Sequence, residues 1–353
     1  MFKKFISYYK PHKRLLFFDL LAASILSMVD LVFPMLSRSM INTYIPNSDI
    51  AMLYRLAFFI AILFIIRAGC NFFMNYWGHV MGARMEKEMR KDLFDHYLKL
   101  PYKFYDENKT GKLMSRLVND LRDISEMAHH APEDGFISVL MLVGSLGLLM
   151  TINVQLTLIL AFMVFLLLMF SIVKRKSMLV AFRNQRERTA NINAQIENSI
   201  SGIRLCQSYV NENYEREKFE VVNQKHYESL QQAYKAMGEF TAGTHFLADL
   251  MNLAIVVVGG IFTIQGWINL GDLVAYLLFT SFFMRPIRQV IGMIQQIQSG
   301  MTGFERFYEI INLESDIKDP ERPQLINSIQ GHIAFKAVDF QYDEGKPILS
   351  KLT

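Results

Sequence analysis

Six apolar stretches, separated by polar segments of very unequal length, set the pattern of this 353-residue chain. They cover residues 15–36, 54–76, 136–152, 156–173, 246–265 and 273–294. Each is long enough to be read as a helix crossing a bilayer, which takes about 20 residues. The third and fourth are separated only by Asn153, Val154 and Gln155, a tight hairpin. The fifth and sixth are separated by residues 266–272, which include Trp267, a residue type favoured at membrane interfaces.

The remaining two connections, near residues 82–135 and 174–245, are long, polar and helical in character. In the first, Met85, Met89, Leu93, Tyr97 and Leu100 recur at helical spacing, with no Gly or Pro between Ala83 and Pro101. The second helix can therefore run unbroken over residues 53–100, roughly 70 Å at 1.5 Å per residue. A hydrocarbon core is only about 30 Å thick, so about 40 Å projects as a stalk. In the second connection Ile192, Ile196, Ile200 and Ile203 repeat likewise. Both connections are rich in Lys and Arg, whereas the opposite side has Arg38 and Arg55 near its longest loop and none in the short ones. By the positive-inside rule both connections and both chain ends are cytoplasmic. Ahead of the first span, Phe2, Phe5, Ile6 and Tyr9 form one apolar face broken by Pro11, which predicts a short helix on the cytoplasmic membrane surface.

Composition sharpens this picture. The chain is 52% apolar and contains 28 Phe and 21 Met, yet 20% of it is charged and the mean hydropathy is only +0.19. Those values agree only if apolar spans alternate with charged soluble segments. Cys70 and Cys206 lie too far apart in character and position to suggest a disulfide framework. The net charge of +4 is mild and gives no reason to expect a nucleic-acid partner. The N-terminus reads as neither a secretory signal nor a transit peptide. From Gly331 onward Ile333, Phe335, Val338, Phe340 and Tyr342, a turn at Asp343, Glu344 and Gly345, and then Pro347, Ile348 and Leu349 predict two strands of a further domain.

Local motifs carry a resemblance. Leu100-Pro101-Tyr102-Lys103-Phe104-Tyr105, followed by Gly111, Leu113, Ser115, Arg116 and Asp120, is similar to the first cytoplasmic loop of ATP-binding cassette exporters. Glu197-Asn198-Ser199-Ile200-Ser201-Gly202-Ile203, with Tyr209 and Phe219, resembles their second loop. Gly266, Leu270-Gly271-Asp272-Leu273 and Pro286 match the turn before the sixth helix and the kink within it. The resemblance covers essentially the whole chain. It implies an all-α membrane protein of six long helices with cytoplasmic extensions, followed by a truncated β start of an ATP-binding domain. The expected organisation is an interfacial helix at 1–14, a six-helix domain at 15–312, a linker at 313–330 and the nucleotide-binding start at 331–353.

It also implies a half-transporter that pairs with a second chain, identical or not. Such a protein would use ATP with Mg2+ to move an amphipathic lipid, peptide or drug across a bacterial plasma membrane. Coupling helices are expected near residues 108–115 and 201–209. Asn108, Gly111, Leu113, Gly202, Ile203 and Leu205 there would meet the ATP-binding domains, the glycines allowing a sharp turn and the apolar residues offering contacts. Loops that merely cap a long hairpin would carry the same glycines. Tyr342 falls where the family stacks an aromatic ring on adenine. The phosphate loop G-x-x-x-x-G-K-[ST] does not occur in these residues, so the chain is expected to be a fragment that holds no nucleotide alone.

Charges inside the spans bear on what is moved. Asp19, Asp30, Arg67, Arg285 and Arg288 fall within the apolar stretches, where charge is costly and faces a cavity or a partner. Arg67 lies about 20 Å and Arg285 about 18 Å below the outer helix ends, so both can line a shared cavity with Arg288 and Asp30. The alternative is that these arginines pair with Asp19 or Asp30 to hold the bundle. His129-His130 beside Glu133 and Asp134 suggest a metal, but no further His or Cys lies at ligand spacing along the chain, and no metal is expected. The sequon Asn108-Lys109-Thr110 faces the cytoplasm and is inert in this topology. A membrane sensor relaying a signal through its helices is the competing function, and the short outer loops leave it little to sense with.

Overall fold

A computed structural model describes residues 1–314, 331–341 and 347–353, without the side chains of Met284, Arg285, Ile287, Arg288, Val290 and Ile291. The chain begins with a short helix α1 (Phe2–Ser7), and a 3-10 turn containing Pro11 leads into α2 (Lys13–Ser39). Helix α3 (Ile50–Phe73) continues through a π-turn, Met74–Gly78, into α4 (His79–Tyr97), giving one 48-residue helical rod. Two short helices, α5 (Tyr102–Glu107) and α6 (Thr110–Ser115), turn the chain at the far end. Helix α7 (Leu121–Met150) returns, α8 (Val154–Ser201) descends, and α9 (Ile203–Ser208) turns again. Helices α10 (Glu212–Ile264) and α11 (Leu270–Ile311) complete the bundle, and strands β1 (Val338–Gln341) and β2 (Pro347–Leu352) pair antiparallel.

Among the described residues five helical rods are long and apolar enough to cross a membrane, and α11 adds an apolar segment, Leu270–Phe283. The expected all-α architecture with long extensions is therefore present. Helix α10, with 53 residues, is about 80 Å long. In hydrocarbon each backbone N–H and C=O must be satisfied within the segment, which is why the spans are helices.

Among the described residues two apolar cores hold the rods. The first joins Leu26 and Leu31 of α2, Met141 and Leu149 of α7, Leu160 and Leu167 of α8, Met251 and Ile255 of α10, and Tyr276 and Phe279 of α11. Tyr276 also donates its hydroxyl to the carbonyls of Leu149 (3.1 Å) and Asn153 (2.8 Å), tying α11 to the α7–α8 hairpin. Asn153 caps α8 by accepting from the Leu156 amide. At the other short turn Asn269 and Asp272 form a capping box on α11. Asp272 also receives Arg38 and Asn42, which pins the end of α2 to the same turn.

The second core lies in the stalks. Met81, Met85, Met89, Leu93 and Tyr97, one residue per turn of α4, are all buried. They pack on Leu121, Ile124 and Ala128 of α7 and on Phe304, Phe307 and Ile310 of α11. The expected stripe on this stalk is thus the packed face. The N-terminal helix departs from a purely surface-lying element. Phe2 and Ile6 stay exposed, but the Phe5 ring packs edge-on against Phe304, and Tyr8 is buried. The Tyr8 hydroxyl donates to Asp92 at 2.7 Å, and burial followed by that carboxylate pushes its pKa upward, keeping the phenol a donor.

Helices α8 and α10 pair along their length and form an arm. Gly243 permits the close approach, since a Cβ there would enter the Phe170 ring. Near the tip the facing residues are polar: Ser199 donates to Glu215 at 2.8 Å beside buried Gln195. Of the predicted stripe Ile192, Ile196, Ile200 and Ile203, all helical, Ile192 is half-buried and the other three are exposed, Ile200 at 66%.

Leu93→Ala removes a fully buried side chain from the stalk core and is expected to cost about 2–5 kcal/mol. A clear fall in the thermal midpoint of the detergent-solubilised chain would report it. Phe58→Ala, at an exposed position on α3, is expected to leave the midpoint nearly unchanged.

Candidate functional site: the stalk tips and the intramembrane charges

The tips are built differently from the sequence expectation. At the first, the turn is made by Asn108 (φ −118°, ψ 121°) and Lys109 (φ −63°, ψ 131°), both extended. Asn108 also donates its side-chain amide to the Phe104 carbonyl at 2.9 Å, closing α5. Gly111 sits inside α6 with open space around it, so its expected role as the turning residue is corrected. Leu113 is corrected too: it is buried in the stalk core with Leu100 and Leu121 and offers no free contact. It anchors α6, while Tyr102 and Met114 are the exposed apolar groups there. The Tyr97 phenol beneath this tip is pushed up to about 12, chiefly by burial.

At the second tip Gly202 does mark the junction, at φ −89° and ψ 7°, where a Cβ would lie 3.2 Å from the Asn198 carbonyl oxygen. Val210, at φ 53°, turns the chain into α10. Ile203 and Leu205 are exposed, together with Tyr209 and Val210 at 76% and 84%. Leu205, Tyr209 and Gly202 line a small depression of about 240 Å³ closed by Glu215.

Among the intramembrane charges, Arg67 donates from Nε to Asp30 Oδ1 at 2.6 Å. This is the pairing alternative raised by the sequence, and it links α3 to α2 beside the Phe33–Phe64 ring contact. The side chains of Arg285 and Arg288 lie outside the described residues, as does Tyr342. The larger open clefts lie nearer the stalks. One of about 620 Å³ between α7 and α11 is lined by Asp123, Glu126, Asp134, Gln289 and Gln295. A neighbouring one of about 590 Å³ reaches Lys176 and Arg183 of α8 and Arg306 of α11.

The expectation about metal ligands also changes. His79 at the start of α4 comes to within 4.5 Å of the His129 ring and 5.1 Å of the His130 ring, measured between centroids. Fifty residues of sequence separate the partners, so spacing along the chain could not show them together. The one available signal is Gly82, which lets α4 and α7 approach.

Comparison with known proteins adds to this geometry. The model of the ABC transporter transmembrane region matches residues 16–287. The uncharacterized ABC transporter ATP-binding protein YwjA of Bacillus subtilis is 35% identical over 352 residues, covering 100% of this chain and 61% of its own length. A fatty acid ABC transporter ATP-binding/permease protein of Mycobacterium bovis is 28% identical over 266 residues, 75% of this chain and 42% of its own. An ATP-dependent lipid A-core flippase of Idiomarina loihiensis is 24% identical over 354 residues, 97% and 59%. The chain thus spans about three-fifths of YwjA and of the flippase and less of the fatty acid transporter.

Neutralising one member of the Arg67–Asp30 pair should destabilise the chain. Breaking a buried pair costs up to about 3–5 kcal/mol. Arg67 lies in a membrane-spanning segment, where the 41% of its side chain left exposed within one chain meets no bulk water to screen the pair. Asp30→Asn and Arg67→Gln are each expected to lower the thermal midpoint, and the swap of both residues to recover part of the loss. Single variants that melt like the parent would show that the pair does not hold the bundle.

Proposed function

We propose that this chain, a member of the ABC transporter transmembrane family, is the membrane half of an ATP-driven exporter of amphipathic molecules. The observation that carries this reading is the second stalk tip. There a 48-residue and a 53-residue helix are joined by the six-residue helix α9, and Ile203, Leu205 and Tyr209 at this junction are exposed. Long rigid helices transmit a displacement applied at one end, and an apolar tip in water needs a partner surface to cover it. An ATP-binding domain seated on α6 and α9 is that partner in this reading. Asn108, Gly111 and Leu113 set the position of α6, and Gly202, Ile203 and Leu205 present α9.

The nucleotide itself finds no seat among the described residues. The phosphate-loop pattern G-x-x-x-x-G-K-[ST] is not in the sequence. ATP with Mg2+ is the energy source in this reading, and Tyr342 is the residue proposed to stack on adenine. Residues 1–14, 15–312, 313–330 and 331–353 serve as interfacial helix, transmembrane domain, linker and start of that domain.

A second half-transporter chain, identical or different, is the partner that the α8–α10 arm supports, because its Ile196 and Ile200 remain uncovered within one chain. The substrate is an amphipathic lipid, drug or peptide, in keeping with relatives named for a fatty acid and for lipid A-core. Arg67 with Asp30, and Arg285 with Arg288, are the groups proposed to meet its polar end. The membrane is a bacterial plasma membrane, with the stalks and both termini on the cytoplasmic side, as the Lys and Arg distribution favours.

The test uses the full-length protein in lipid vesicles with a fluorescent acyl-chain substrate. ATP-dependent movement of the probe is expected, and Leu205→Asp is expected to reduce it severalfold while folded yield stays constant. No movement, or movement that Leu205→Asp leaves unchanged, would refute the coupling role of α9. Tyr342→Ala is expected to weaken nucleotide binding by about 0.5–1.5 kcal/mol, measured by titration of a fluorescent ATP analogue. Unaltered binding would remove Tyr342 from the adenine site.

A further inference from the structure

We propose that His79, Glu126, His129 and His130 form a binding site for a divalent transition-metal ion of the Zn2+ class, which clamps α4 to α7. Each residue offers one ligand atom, and these four atoms lie within 4.8 Å of one another. Three imidazoles and one carboxylate are a donor set for Zn2+ and its neighbours. Ca2+ and Mg2+ seek more oxygen ligands than this cluster supplies.

Local structure explains why the four meet. Gly82 lies one turn beyond His79, and a Cβ there would stand 2.7 Å from Ser125 Oγ and 2.9 Å from His129 Nδ1. Only glycine lets α4 and α7 come this close, and the approach sets His79 against the His129–His130 pair. Glu126 is one turn before His130 on the same helix, with 3.4 Å between its Oε2 and His130 Nε2. His79 directly follows the π-turn Met74–Gly78, a local irregularity that recurs at functional sites.

The hydrogen bonding is already that of a ligand. His129 is 2% exposed, and its Nδ1 lies 2.9 Å from the Ser125 carbonyl oxygen. A carbonyl only accepts, so Nδ1 carries the proton and Nε2 presents its lone pair. That Nε2 is buried without a partner. A metal-bound histidine is oriented in this manner, one ring nitrogen on a backbone carbonyl and the other on the ion.

Charge points the same way. Asp19 of α2 is 1% exposed, and neither carboxylate oxygen has a partner. It packs against Gly78, within electrostatic range of His79. A buried unpaired carboxylate is costly. A 2+ ion among the histidines would balance Asp19 together with Glu126, with Asp19 acting from behind His79 rather than as a ligand.

A tetrahedral Zn2+ with bonds of about 2.0–2.1 Å sets its ligands about 3.3 Å apart. The cluster must therefore close by about 1.5 Å at its widest, a movement that rotation of exposed His79 can supply. Four protein ligands leave no open position, so the site is a clamp between the stalks and the membrane section, not a reaction centre. This inference does not depend on the exporter reading.

The experiment titrates Co2+ into the full chain in detergent, purified through a histidine-free tag, and follows the visible absorption of tetrahedral Co2+. One Co2+ per chain, displaced by Zn2+, is expected, together with a Zn2+-dependent rise in thermal midpoint. His79→Gln and His130→Gln change exposed and half-buried rings, so the fold is kept. Each is expected to weaken binding by at least about tenfold, no less than an outer-shell loss does. His226→Gln, elsewhere on the stalk, is expected to bind like the parent. No tetrahedral spectrum, or uptake of Co2+ that is equal in the parent and in the His79→Gln/His130→Gln double variant, would overturn the site.

Discussion

The helices of this chain do not stop where the hydrocarbon would end. Backbone groups in lipid can be satisfied only inside the helix, and once formed for that reason the rods continue far into water. There they need side-chain packing of their own. The α4 stripe of Met81, Met85, Met89, Leu93 and Tyr97 supplies it, closing against α7 and the end of α11. Everything beyond depends on that packing: the docking of Tyr8, the burial of Leu113 under the first tip and the approach of His79 to His129. The α8–α10 arm lacks a comparable apolar face in its lower half, and polar contacts around Glu215 close it instead. One stalk assembly is thus complete within the chain, and the other presents an uncovered isoleucine stripe.

Much of the fold was legible in the sequence because its causes are local. Apolar length gave the spans, the Met85–Met89–Leu93–Tyr97 spacing gave the packed face of the stalk, and Asn153, Val154 and Gln155 marked the hairpin, which Asn153 proves to cap. The tips were legible in position but only partly in chemistry. Gly202 does sit at its junction, whereas Gly111 and Leu113 belong to a helix that is turned by Asn108 and Lys109 and held from beneath. What the sequence could not show were contacts between distant elements. Nothing near Arg67 indicates whether it faces Asp30 or a cavity, and nothing near His129 indicates that α4 will bring His79 to it. Such pairings depend on which helices become neighbours, and that is fixed by packing along whole rods, where no short motif reports it.

The buried charges divide along the same line. Arg67 with Asp30 and Arg38 with Asp272 are each matched by a partner on another helix, and so reinforce the order in which the rods pack. Asp19 is matched by none among the described residues and sits beside the histidine cluster. Charges in the stalks, by contrast, line open clefts and carry less of that cost.

In the exporter reading the two tips move with the rods as rigid levers. The most direct measurement is the distance between spin labels at Lys112 and Leu205 of full-length protein in lipid nanodiscs, with Cys70 and Cys206 replaced beforehand. A shift of the whole distance distribution on adding ATP with Mg2+, undiminished in width, is the expected result. A distribution that stays in place while ATP is bound would contradict the lever account.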